Sequence, residues 1–153
     1  MKIRARVEMY KEIFKDCKAL EPVSMVLAKG YKGATPLQRL DLLRELDTEL
    51  ADLYNVWIPV ITCFVRDDNY VSSTKEIFLG DPDIYGFLHQ FRHHLQNEAR
   101  EQERKYLLVE DNKNLDYKLP YKDTQYNLYG EDDARSWSKA IMEMVLDTDI
   151  LSE

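Results

Sequence analysis

Between Asp81 and Arg104 one helical stripe dominates the chain. Ile84, Phe87, Leu88, Phe91 and Leu95 recur at helical spacing, the pattern of a helix with one greasy face. Its start is well signalled. Asp81 is a good N-cap, Pro82 fits the first helical position, and Asp83 puts negative charge where the helix dipole favours it. At about 100° per residue, His89 and His93 fall roughly 140° and 180° from Ile84. They share a face, and it is not the greasy one. Such a helix packs on one side and offers two imidazoles to a cleft on the other.

Two histidines four apart on a helix have the spacing of the H-E-x-x-H zinc motif, because i and i+4 side chains lie one above the other. This chain reads His89-Gln90-Phe91-Arg92-His93, with glutamine where that motif has glutamate. A metal needs a third ligand, and Glu131-Asp132-Asp133-Ala134 supplies candidates. Glu131 opens a helix and lies roughly 80° from the centre of its apolar stripe, so it is the first choice. Asp132 points further away and Asp133 sits on the far side, which makes them second choices. His94 lies off the face shared by the other two. Arg92 and Gln96 can line the cleft, with Arg92 also free to pair with a nearby carboxylate. The plain alternative is that all three histidines sit on the surface of a charged helix.

The other elements follow in order. Residues 5–20 read as a helix ended by Glu21-Pro22, and 23–34 as a connector around Gly30 and Gly33. Thr35-Pro36-Leu37-Gln38 is a capping-box start for a helix carrying Leu37, Leu40, Leu43, Leu46, Leu50 and Leu53 as a core row. Asp41, Arg44, Glu45, Asp47, Glu49 and Asp52 are expected to face water. Val56–Val65 predicts a buried strand, in which Pro59 hints at an edge or a bulge. Tyr70–Leu79 predicts a second strand pairing with it as a hairpin. Residues 106–130 predict a long loop; Tyr126 and Tyr129 within it either line a cleft or anchor the loop to the body. A last helix follows Gly130, with Ala134, Trp137, Ile141, Met144 and Val145 as its apolar stripe. Residues 147–153 read as a fraying tail.

The chain has 153 residues, enough for one domain spanning 1–153 with a real core. Its fold class is α+β. A net charge of -7 argues against nucleic acid as a partner, and no apolar run approaches the ~18 residues of a membrane span. With no signal-peptide core after the basic N-terminus, a cytoplasmic location is expected. Cys17 and Cys63 are read as buried free thiols.

The order of elements, with His89 and His93 on a helix that follows a strand and a later helix opening Glu131-x-x-Ala134, resembles the zincin metallopeptidases. It is most similar to the gluzincin branch, over roughly 56–146. The resemblance implies zinc as the cofactor, His89, His93 and Glu131 as its ligands, and a protein or peptide as substrate or partner. In that family the residue after the first histidine is the general base. Gln90 holds that catalytic position here, and an amide does not titrate near neutral pH. Metal binding with weak or absent hydrolysis is therefore expected. The alternative is a non-catalytic interaction domain that has kept the fold and lost the metal, meeting its partner through the leucine row or the tyrosine loop.

Overall fold

The computed structural model describes residues 3–15, 18–101, 106–108, 115–118 and 128–146. The architecture is α+β. In chain order the elements are α1 (Ile3–Phe14), α2 (Leu20–Ala28), a 3-10 turn (Tyr31–Gly33), α3 (Pro36–Tyr54), β1 (Val60–Cys63), β2 (Asn69–Val71), β3 (Glu76–Leu79), α4 (Ile84–Glu101), β4 (Tyr106–Leu108), β5 (Leu115–Lys118) and α5 (Leu128–Val145). The layers run sheet, α4, α5, α1: β2 and β3 pack on α4, α4 on α5, and α5 on α1, while α2 braces α3 and α5.

The first expected helix is two. α1 stops at Phe14, and Pro22 falls in the first turn of α2 instead of ending a helix. That position costs proline nothing, since the first-turn N–H groups have no helical partner. Most of the expected connector 23–34 is thus helical. Gly30 takes φ 90°, which ends α2 in the left-handed conformation that glycine adopts freely.

α3 starts where the sequence puts it. Thr35 accepts from the Gln38 backbone N–H at 3.2 Å, and the Gln38 side chain accepts from the Thr35 N–H at 2.9 Å, completing the capping box. Leu40, Leu43, Leu46 and Leu50 are buried, each contributing ~1.5–3 kcal/mol by leaving water. Two expectations for this helix fail. Leu37 is 68% exposed, because the first turn projects beyond the core. Asp47 is buried, because it lies on the same stripe as Leu43, Leu50 and Tyr54.

The sheet corrects the hairpin expectation. β1 pairs with β3 in parallel, Val60 opposite Glu76 and Cys63 opposite Leu79. The hairpin lies within 69–79, where β2 folds back antiparallel onto β3 through a turn with Lys75 at φ 55°. The strand order is β1-β3-β2, so β1 is an edge. Pro59 stands just before it, in keeping with an edge position. Ile61, Tyr70, Ile77 and Leu79 turn inward and are buried. Cys63 is a half-buried free thiol, and Cys17 lies outside the described residues.

The core joins Val7, Tyr10 and Phe14 of α1 to Trp137 and Ile141 of α5, the α3 leucines, and Phe87, Phe91 and Leu95 of α4. Trp137 meets Phe14 and Tyr54 edge-on, at ring-centroid distances of 6.4 and 6.5 Å. Ala134, Trp137 and Ile141 are buried as expected, with Met144 and Val145 partly so. The expected tail at 147–153 lies outside the described residues.

Candidate metal centre

α4 begins at Ile84, three residues later than its signals suggest. Asp83, not Asp81, is the cap: its Oδ2 accepts from the Gly86 N–H at 2.8 Å. From the α3 side, the Tyr31 hydroxyl donates to the carbonyl oxygen of Pro82. These contacts set where the helix starts and hence which way each later residue faces.

The apolar stripe of α4 is fully buried, and so is much of the opposite face. Arg92, His93, His94, Gln96, Asn97 and Glu98 are each no more than 3% exposed. The expectation of one packed side and one open side is therefore wrong. α5 covers the polar side, and the polar groups there are paired instead of hydrated.

His89 and His93 stack one turn apart, with ring centroids 5.1 Å apart. Glu131, in the first turn of α5, reaches both. Its Oε2 lies 3.2 Å from His89 Nε2 and its Oε1 lies 2.6 Å from His93 Nε2. Donor atoms of the three residues all lie within 4.8 Å of one another, a group that can hold a metal ion. The donor set is two imidazole nitrogens and one carboxylate, which leaves a fourth tetrahedral position free of protein. The imidazoles are sheltered while the Glu131 side chain is 44% exposed, so the site is open on the Glu131 side.

The electrostatics follow from this packing. The hydrogen bond with His93 holds the Glu131 carboxyl down at about 2, against the opposing effect of partial burial, and His89 adds to the lowering. Burial pushes the His89 imidazole below its ordinary value, with His93 acting in the same direction and Glu131 against it. A depressed histidine is an available electron-pair donor near neutral pH, as a metal ligand must be.

The neighbouring residues divide sharply. Gln90 is 8% exposed, directly after His89. Gln96 and Arg92, expected as cleft walls, are buried beneath the site. Gln96 Oε1 lies 3.0 Å from His93 Nδ1, and its Nε2 donates to Gly130 O at 3.1 Å and to Asp133 Oδ2 at 2.8 Å. Arg92 Nε donates to Asp133 Oδ2 at 3.0 Å, and its guanidinium lies over the rings of Trp137 and Tyr10 at 5.2 and 5.5 Å. The Tyr10 hydroxyl donates to Asp133 Oδ1. Asp133 does not sit on the far side of the α5 stripe. It is fully buried on it.

His94 serves the fold. Its Nε2–H donates to the carbonyl oxygen of Trp57 at 2.6 Å and its Nδ1 accepts from the Tyr70 hydroxyl at 2.7 Å. Burial lowers its pKa, so it pins α4 to β2 as a neutral ring. Tyr126 lies outside the described residues, and for Tyr129 only the backbone, in the first turn of α5, is described.

The Arg92–Asp133–Tyr10 cluster escaped the sequence reading, although a signal was there. Arg92 lies four residues after Leu88 and three before Leu95, and Asp133 four before Trp137. Each interrupts an apolar stripe with a charge, and opposite charges in that position call for each other.

No helix among the described residues is long and apolar enough to cross a membrane. No family model, no curated protein and no solved structure matches the chain.

Proposed function

We propose that this is a zincin-like domain that binds zinc through His89, His93 and Glu131, with little or no peptidase activity because Gln90 stands at the position of the general base. The observation that carries the reading is the convergence of two imidazole Nε2 atoms and one carboxylate from a separate helix. The donor chemistry fits: nitrogen and oxygen ligands with one vacant position are what a catalytic zinc site uses. Zinc bound there would polarise a carbonyl and lower the pKa of its water. The chain's own residues supply the rest. The apolar face of α4 fixes the imidazoles against the core, and α5 brings the carboxylate. Gln90 offers an amide that can hydrogen-bond a water and cannot take its proton.

The test is metal analysis of protein purified without an affinity tag, together with melting in added zinc. The expected result is close to one zinc per chain and a raised Tm, both lost in His89→Ala. Wild-type protein that carries no zinc and melts unchanged in added zinc rejects the reading. Gln90→Glu is expected to raise hydrolysis of an unstructured peptide by about 10²–10⁴-fold, the usual contribution of a general base.

A metal-free interaction domain is the second reading. The leucine row does not serve it, since Leu40, Leu43, Leu46 and Leu50 are buried. What favours it is the exposed apolar set Trp57, Ile58, Val60 and Phe64 around the β1 edge. Sedimentation over a range of concentrations tests it, and a strictly monomeric, metal-loaded chain counts against it.

A further inference from the structure

We infer that Gln96 is a positioning residue for His93, and that Asp133 fixes Gln96 in the orientation this requires. The inference rests on the zinc reading above and deepens it by naming what aims the buried ligand.

The Gln96 amide has no choice of orientation. One end lies against Gly130 O at 3.1 Å and Asp133 Oδ2 at 2.8 Å. A backbone carbonyl only accepts, and a carboxylate paired with a guanidinium only accepts. That end must be the NH2. Turned over, the amide would set its oxygen against two oxygens, one of them charged, in a place 1% exposed, where an unmade hydrogen bond costs most. The carbonyl oxygen therefore faces His93 Nδ1, 3.0 Å away, and Nδ1 must carry the hydrogen. Nε2 is left as the atom that meets Glu131 and, on this reading, the metal. Ligating histidines are commonly held this way by an acceptor on their other nitrogen. Here the acceptor is a neutral amide one helical turn along the same helix, and the charge stands one residue further back.

Asp133 is itself immobilised. Arg92 Nε at 3.0 Å and the Tyr10 hydroxyl take its two oxygens, and Arg92 Nη2 donates to the Tyr10 hydroxyl at 3.0 Å. Three helices, α1, α4 and α5, thus set one carboxylate, the carboxylate sets one amide, and the amide sets one imidazole. His89 has no such chain behind it among the hydrogen bonds of the described residues.

The experiment compares Gln96→Met with Gln96→Glu, using Zn(II) alone as the probe in competition with a chelator and urea denaturation for stability. Methionine keeps the length and loses the acceptor. Glutamate keeps an acceptor for Nδ1 and sets a second carboxyl beside Asp133. The expected result is that Gln96→Met weakens zinc binding by about 10–100-fold, while Gln96→Glu binds at least tenfold more tightly than Gln96→Met although it is the less stable of the two. A purely structural role predicts the opposite order, with affinity following stability, and that order overturns the inference. So does a Gln96→Met protein with wild-type affinity. Should either variant fail to fold, nitrogen-15 NMR of the metal-free wild-type protein at pH 8 decides. A His93 ring protonated at Nδ1 in its neutral form is the expected result, and the Nε2–H form overturns the inference. If the wild-type protein takes up no zinc while His93 still shows the Nδ1–H form, the zinc reading falls and the amide relay stands as a structural device.

Discussion

Asp133 and Glu131 stand two residues apart on α5 and meet opposite surroundings. Asp133 is fully buried and paired with the guanidinium of Arg92, whose charge is permanent. Glu131 is 44% exposed at its side chain and faces two imidazoles, groups whose positive charge comes and goes with a proton. The first arrangement can only brace the helices. The second can exchange what lies between its members, because an imidazole without its proton offers a lone pair to a metal cation in the proton's place. Asp47 makes a third case. It is buried on α3 and its Oδ1 has no hydrogen-bond partner among the described residues, so burial alone pushes its carboxyl up to about 8. One carboxylate is locked, one is exchangeable, and one is stranded.

The largest effect should come from unlocking the first. Asp133→Ala leaves the Arg92 charge buried and uncompensated, and urea denaturation should show a loss of about 3–5 kcal/mol. A loss under 1 kcal/mol would remove the distinction between the two α5 carboxylates. Next comes zinc. At a hundredfold excess over its Kd it should stabilise the wild-type protein by ~2.7 kcal/mol and leave Glu131→Gln unmoved, which calorimetric melting checks.

Asp47 sharpens the contrast from the other side. Its folded pKa is raised, so its protonated form is favoured. The stability it contributes is full below about 3.8 and lost as pH rises through about 8. Asp47→Asn should therefore gain on the wild type as pH rises, reaching about 2 kcal/mol above pH 8. Equal pH profiles for the two proteins would mean that the carboxylate is hydrated after all. The smallest effect belongs to Glu131→Gln without metal. The Glu131 carboxyl is held low, so its contribution is present above about 4.5 and lost as pH falls towards 2. At its exposure this amounts to less than about 1 kcal/mol, visible as a flatter acid limb in the stability profile.

Those contrasts also separate what the residues disclose from what they hide. Local rules read well: the Thr35–Gln38 capping box, the α3 leucines from Leu40 to Leu50, and the α4 stripe all stand where periodicity puts them. His89, His93 and Glu131 come together because helical spacing brings two of them to one face and an apolar stripe turns the third inward. The failures have one physical origin. Periodicity tells which face of an element is apolar and does not tell how many neighbours cover it. The polar face of α4 reads as solvated, yet α5 lies over it, so Arg92 and Gln96 are interior groups. The sheet fails for a related reason. The run Tyr70–Leu79 looks continuous, but a turn around Lys75 splits it, and β1 takes the remaining edge of β3 in parallel. Nothing in the alternation of side chains records strand direction.

The clamp at the head of α4 has a consequence for the angular setting of everything beyond it. Tyr31 grips the Pro82 carbonyl from outside and Asp83 closes the first turn from within, so the helix is indexed at its origin, like a dial fixed at zero. A slip of a single position would rotate every side chain by about 100°. It would present either Leu88 with Arg92 or Gln90 with His94 towards Glu131, and neither pair carries two imidazoles. The angle at which this helix faces its neighbour is thus decided by a tyrosine and an aspartate that touch none of the three candidate ligands.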